Sequence, residues 1–261
     1  MEICDFVLAT GVRMRVVLLA AGASKRLRPL TNSKPKCLLP LIGDRTILDG
    51  IIENLLWAGL EKFVIVTGFE SDQLHAHVNR RFPQLNVTWV HNREYATTNN
   101  SYSLWLAKDF LSEPFMLLDS DIVFDRRIVY QVLKDKHKDV LAVRTEGRCG
   151  DEEMKVELDA AGWVRRISKD MEPHMATGES IGIEKFSGSF QPALFDELDR
   201  RIRQVFGANE FYEAAFQAVV HHAVPLFGLT ISPYPCLEID TPEDYKHACE
   251  MIKYIPSLSD S

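Results

Sequence analysis

Three runs of the chain, RVVLLAAG, KFVIVTGF and PFMLLDSDIVF, are apolar almost without interruption and have the length of buried strands. Between the first two lies TILDGIIENLLWAGL, whose apolar residues recur at helical spacing and end near a glycine, a common helix stop. SDQLHAHVNRRF repeats the helical pattern, NVTWVHN reads as a further strand and NSYSLWLAKDFL as a further helix. Alternating strands and helices demand an α/β sheet with right-handed crossovers. After about residue 139 the pattern shifts to short strands with turns: DVLAVRT, MKVELDAAGWVRRISK and SIGIEKFSG, with a glycine hairpin in LDAAGWV. Two helices are expected near 191–205 and 209–222, then LFGLTIS, CLEID and a closing helix from Thr241 with Pro242 in its first turn. The expected architecture is one mixed α/β domain over residues 14–253 with a small C-terminal elaboration. Residues 1–13 read as an extension and 254–261 as a tail.

Charge and cysteine usage narrow the partners. The 261 residues carry a formal net charge of -7, which argues against a broad basic surface for nucleic acid. The five cysteines are scattered, with no CxxC pair, so neither a disulfide framework nor a zinc site is expected and a reducing cytoplasm is. No apolar run reaches the roughly 18 residues of a membrane span, and MEICDFVLATGVRM makes a poor signal peptide.

Against this acidic background, Lys25, Arg26, Arg28, Lys34 and Lys36 follow one glycine turn with no acid among them. Backbone N–H groups in such a turn can cradle phosphate, and lysine and arginine offset its charge. The stretch is neither a Walker A loop nor GxGxxG, since Gly22 is its sole glycine. Taken alone, an Ala-Ala-Gly turn fits a solvated basic loop equally well.

Two pairs of acids end strands. LLDSDIVF carries Asp119 and Asp121, and CLEIDTPEDY carries Glu238 and Asp240. Hard oxygen ligands of this kind suit Mg²⁺, which takes one or two carboxylates with phosphate and water. Strand-end acids also cap the next element, which is the simpler reading for Asp119 or Glu238 alone.

The string LAAGASKRLRPLT…KPKCLLP resembles the LAAGxGxRLxPLT…KPK signature of the sugar-phosphate nucleotidyltransferase family. The resemblance implies a Rossmann-like nucleotidyltransferase fold and a Mg²⁺-dependent reaction. It implies that Leu19, Ala20, Ala21, Gly22 and Ala23 wrap a nucleoside triphosphate, that Arg26 and Lys36 meet its phosphates, and that Asp121 and Asp240 hold the metal. One departure is Ser24, where many members carry a second glycine.

EYATTNNSYSLWLAKDFL resembles a segment of bacterial choline-phosphate cytidylyltransferases, and EEMKVELDAAGWVRRISKDM, GESIGIEKFS and EFYEAAFQAVV resemble enzymes of other small phospho-alcohols and phosphonates. That branch implies CTP as donor and a small phosphate or phosphonate acceptor. It places Tyr95, Ala96 and Asn100 at the nucleotide, and Lys155, Lys169 and Glu213 at the acceptor. Asn99 and Asn100 serve equally well as a helix start, while Leu104 and Trp105 read as core. Few Asn or Gln and several acids after residue 150 favour a zwitterionic acceptor over a polyol, and Trp163 is expected on a surface hairpin. A sugar-1-phosphate uridylyl- or thymidylyltransferase is the alternative enzyme, and a nucleotide-binding relative without turnover the alternative of another class.

Overall fold

The computed structural model describes residues 14–147, 149–150, 152–204 and 207–255. The expected extension at 1–13 and all but the start of the expected tail lie outside the described residues. Ile255, the last described residue, is fully buried in the same core as the strands, so the packed fold reaches past residue 253.

The α/β fold is as expected, with a mixed sheet at its centre. Strands β1 (Arg15–Ala20), β4 (Lys62–Thr67), β5 (Asn86–His91) and β6 (Phe115–Asp119) run parallel in the order β5-β4-β1-β6. β11 (Gly178–Phe186) is antiparallel to β6, and its first residues pair instead with β9 (Lys155–Leu158). The sheet therefore forks beside the carboxyl end of β6. β8 (Asp139–Arg144) pairs with β11 along its length and with β12 (Phe227–Thr230) on its other side. Short strands β2 (Pro40–Ile42), β3 (Arg45–Thr46), β7 (Ile122–Phe124) and β13 (Cys236–Glu238) form two small ribbons, and β10 (Val164–Ser168) closes the β9 edge.

Both sheet faces are covered, which is why β1 is apolar at every position after Arg15. Val16, Leu18 and Ala20 enter one core with helix α1 (Ile47–Trp57), while Val17 and Leu19 enter the other with α3 (Asn100–Ala107) and Phe186. α1 starts on a capping box, with the Thr46 hydroxyl accepting from the Asp49 amide and the Asp49 carboxylate from the Thr46 amide. α2 (Ser71–Arg81) and α4 (Arg127–Lys134) complete the parallel half. The two helices expected after residue 190 are α5 (Phe190–Ile202) and α6 (Glu213–His221). α7 (Pro242–Met251) opens on a second capping box, Thr241 with Asp244, which fixes Asp240 just ahead of the helix. Among the described residues no helix is long and apolar enough to cross a membrane.

Leu104 is fully buried, and the Trp105 indole donates to Asp199 at 2.5 Å. Trp163 does sit in the β9–β10 hairpin, but it is not free on the surface. Its ring meets Phe227 edge-on at 5.5 Å and lies 5.1 Å from His137, because β12 passes beneath the turn.

Candidate active site

The carboxyl ends of β1 and β6 open on a cavity of about 320 Å³, where open α/β sheets place their ligands. Leu19, Ala20, Ala21, Gly22, Arg26, Lys36, Tyr95, Asn100, Asp121, Lys169 and Asp240 all line it, gathered from segments up to 221 residues apart. A Cβ on Gly22 would touch nothing within 4 Å, and its backbone does not require glycine. Gly22 lines the cavity, where a loop that approaches a phosphate belongs. Gly68 answers to the chain itself, since a Cβ there would stand 2.6 Å from the Ala21 carbonyl and from Tyr95.

Ser24, the departure from the signature, adopts φ 44° and ψ 53°, a left-handed conformation, and Thr31 donates to its carbonyl at 2.8 Å. Left-handed backbone costs an L-residue about 1–2 kcal/mol, partly offset for glycine by its greater freedom in the unfolded chain. Ser24→Gly is expected to leave the melting temperature equal or slightly raised. Ser24→Val is expected to lower it by roughly 1–2 kcal/mol of stability, read by thermal unfolding.

Lys36 is the centre of the charge arrangement. Its side chain is buried, and its ammonium donates to the Ile239 carbonyl at 2.6 Å while standing 2.7 Å from Asp121 Oδ2 and 3.0 Å from Asp240 Oδ1. Burial alone would pull its pKa down, but the two carboxylates outweigh burial and hold it above the ordinary lysine value. Asp240 also receives Arg26 Nη2 at 2.6 Å. Burial pushes its pKa upward, yet Lys36 and Arg26 together leave it below the usual aspartate range.

Glu238 joins Asp121 and Asp240, with one carboxylate oxygen from each within 4.8 Å of the others. Although it is exposed to the cavity, the surrounding walls desolvate Glu238, and Asp121, Asp240 and Asp119 push its pKa further up. Asp121 Oδ1 is buried with no hydrogen-bond partner. Three convergent oxygen donors, one of them orphaned, fit a hard divalent cation such as Mg²⁺.

The remaining expected residues separate. Asn99 caps α3 by accepting from the Asn100 amide at 2.8 Å, and Asn100 accepts from the Tyr212 amide at 2.9 Å, which ties α3 to the start of α6. Ala23 and Ala96 do not line the cavity, and Ala96 is solvent-exposed. Lys155 is not in the lining either. It is buried as the first residue of β9, and its ammonium donates to the Lys169 carbonyl at 2.7 Å, so it holds the backbone that carries Lys169. Lys169 reaches the cavity with its ammonium 4.4 Å over the Phe211 ring. Asp119 is not a cap. It forms part of the cavity wall and accepts from the Tyr212 hydroxyl at 2.9 Å.

Glu213 lies behind that wall, buried as the first residue of α6. Burial pushes its pKa up to about 8, with Glu238 adding to the shift and Lys169 opposing it. A raised carboxylate pKa means that the folded chain keeps a proton which the unfolded chain releases. Stability therefore falls as pH rises from about 4.5 to about 8. Glu213→Gln removes that loss, so its melting temperature is expected to exceed that of the parent chain by more at pH 8 than at pH 5.

Sequence reasoning passed over Asn92, which is buried in the cavity wall. Its amide donates to Thr98 and Ser103 at 3.1 Å each and so shapes the loop bearing Tyr95. No local signal marks it. Glu238 was visible in CLEID but gave no reason to prefer ligand over cap.

Residues 15–148, just over half of the chain, match the nucleotidyl transferase family. UTP–glucose-1-phosphate uridylyltransferase of Haloferax volcanii is 33% identical over 115 residues, 44% of this chain and 46% of that protein. The chain thus spans about half the length of that relative. 2-Aminoethylphosphonate cytidylyltransferase of Lancefieldella rimae is 28% identical over 228 residues, covering 87% of each chain. Among solved structures, CTP:phosphocholine cytidylyltransferase from Streptococcus pneumoniae superposes with a TM-score of 0.74 at 21% identity, over 93% of this chain and 100% of that one, a likeness of fold. The matched segment carries β1, the glycine loop, Lys36 and Asp121, and the chain belongs to the nucleotidyl transferase family.

Proposed function

We propose that this chain is a Mg²⁺-dependent cytidylyltransferase that moves CMP from CTP to a small phosphomonoester or phosphonate and releases pyrophosphate. The observation that carries the reading is Lys36 bridging Asp121 and Asp240 at the foot of an open glycine loop. Relatives that span most of the chain, in Lancefieldella rimae and Streptococcus pneumoniae, support CTP as donor and a small acceptor.

The acceptor oxygen attacks the α-phosphorus in line; a new P–O bond forms as the bond to the β-phosphate oxygen breaks, and pyrophosphate leaves with the electron pair. The acceptor is anionic near neutral pH, so no protein group has to take a proton. Catalysis then consists of holding two polyanions together and stabilising the charge that develops. Asp121, Asp240 and Glu238 would hold Mg²⁺, which supplies charge neutralisation at the phosphates. The amides around Gly22 hold the triphosphate. Lys36 and Arg26 are paired with Asp240 in the free chain and exchange that partner for phosphate oxygens. Lys169, on the other side of the cavity, takes the acceptor phosphate.

The test is pyrophosphate release from each of four nucleoside triphosphates with Mg²⁺ and phosphocholine, phosphoethanolamine, 2-aminoethylphosphonate, inositol phosphate or glucose 1-phosphate. CTP with one of the first three is the expected pair. Turnover of UTP with glucose 1-phosphate alone would replace the reading with the uridylyltransferase alternative. Nucleotide binding with no release in any combination would make the chain a binding relative.

A further inference from the structure

Three carboxyl groups that the reaction above does not use lie in the cavity wall, Asp119, and behind it, Glu184 and Glu213. Asp119 ends β6, and Glu184 sits on β11 opposite Leu117, two residues earlier on β6. Strand alternation puts Asp119 and Leu117 on one sheet face, and Glu184 joins them there as Leu117's cross-strand partner. α6 packs over this face through Phe216, and Glu213 is its first residue. Glu184 is 0% and Glu213 6% exposed, and the Oε2 atom of each is buried without a hydrogen-bond partner. Ser180 Oγ stands 3.5 Å from Glu184 Oε1, and Asp119 accepts from the Tyr212 hydroxyl at 2.9 Å. None of the ion pairs among the described residues includes any of the three acids. The nearby cations are engaged elsewhere, Lys36 with Asp121 and Asp240 and Lys169 over Phe211.

The backbone is shaped to bring the group together. Gly182 has φ +67°, and a Cβ there would stand 2.7 Å from Asp119 Oδ2. The β11 register with β8 shifts between Ser180 and Glu184 at this same place. Burying acids without donors is unfavourable unless protons or a cation compensate. The mutual repulsion is visible in Glu184, whose pKa is held well above the usual range by burial and then by Asp119 and Glu213.

We propose that Asp119, Glu184 and Glu213 form a recognition well for a primary ammonium on the acceptor, with Glu184 as a specificity-determining residue. The inference rests on the phosphate- or phosphonate-acceptor reading and names the other end of that molecule. Asp119 faces the cavity and receives the ammonium, while the two glutamates behind it supply free acceptor oxygens. A primary ammonium brings three N–H donors to a group whose deficit is donors. A quaternary ammonium has none and is satisfied by aromatic faces, of which the lining offers Tyr95 and Phe211, the latter already under Lys169.

The experiment is calorimetric titration of the full chain, with Mg²⁺ and a non-reactive CTP analogue, using 2-aminoethylphosphonate and n-propylphosphonate, the isostere with a methyl in place of the ammonium. Pyrophosphate release is followed in parallel. The parent chain should bind the amine about 10- to 100-fold more tightly, the scale of a charge-assisted hydrogen bond. Glu184→Gln should erase most of that preference and raise KM for the amine by a similar factor, with affinity for the CTP analogue and melting temperature as fold controls. Glu184→Asp should restore part of it. Equal affinity for amine and isostere, no binding of the amine, tighter binding of phosphocholine, or a preference that survives Glu184→Gln overturns the inference. None of these touches cytidylyl transfer. Failure of pyrophosphate release with every acceptor overturns the cytidylyltransferase reading instead, and the binding preference still decides this one.

Discussion

Lys36→Ala is expected to lower kcat/KM by about 10²-fold or more, the scale for removing one preorganised charge from a developing anion. The pairing of Lys36 adds a second effect that a lysine aimed at solvent would not have. Its ammonium separates Asp121 from Asp240, so its removal leaves carboxylates facing one another across a partly enclosed site. Both partners keep contact with solvent, which screens the repulsion and limits the loss of stability to about 1–2 kcal/mol. Mg²⁺ should recover that loss in the variant by taking the vacated position. The affinity of the free chain for Mn²⁺, read by electron paramagnetic resonance, should rise in Lys36→Ala even as turnover collapses. An active variant, or one whose metal affinity falls, would remove Lys36 from the centre of the site.

Asp121→Ala and Asp240→Ala should each cut turnover on the order of 10³-fold, since a divalent cation contributes several kcal/mol of charge stabilisation to phosphoryl chemistry. The same variants should lose Mn²⁺ binding, the reverse of Lys36→Ala. Asp240→Ala carries an additional consequence, because Arg26 loses its 2.6 Å partner. Its KM for CTP should therefore change more than that of Asp121→Ala. Glu238→Ala is expected to give the smaller loss, as its side chain is the exposed member of the three. Near-normal turnover with unchanged Mn²⁺ affinity in Asp121→Ala would refute the metal assignment.

The sequence by itself determined the features that depend on neighbours along the chain. The apolar runs of β1, β4 and β6 read as strands of a sheet covered on both faces, because they are too short for a buried helix and are bounded by turn residues. The loop from Leu19 to Lys36 was legible because its glycine, its cations and its prolines are close neighbours along the chain. Thr241 and Pro242 marked a helix start by the same local logic, and the capping box is there.

Tertiary structure alone decided what meets across the chain. Lys36 and Asp240 are 204 residues apart, and only the return of β13 beside β7 brings Asp240 to Lys36 and Asp121. Lys155 read as a cavity lysine, but the pairing of β9 with β10 turns its ammonium onto the Lys169 carbonyl, a backbone acceptor that no side-chain pattern encodes. Glu184 was the least visible. In SIGIEKF, alternation has no meaning for orientation when both faces are buried, and the positive-φ glycine at 182 shifts the register besides. Local composition specifies which segments form strands and turns. Which carboxylates end up sharing one low-dielectric space depends on strand order and register, and those are set by the packing of the whole sheet.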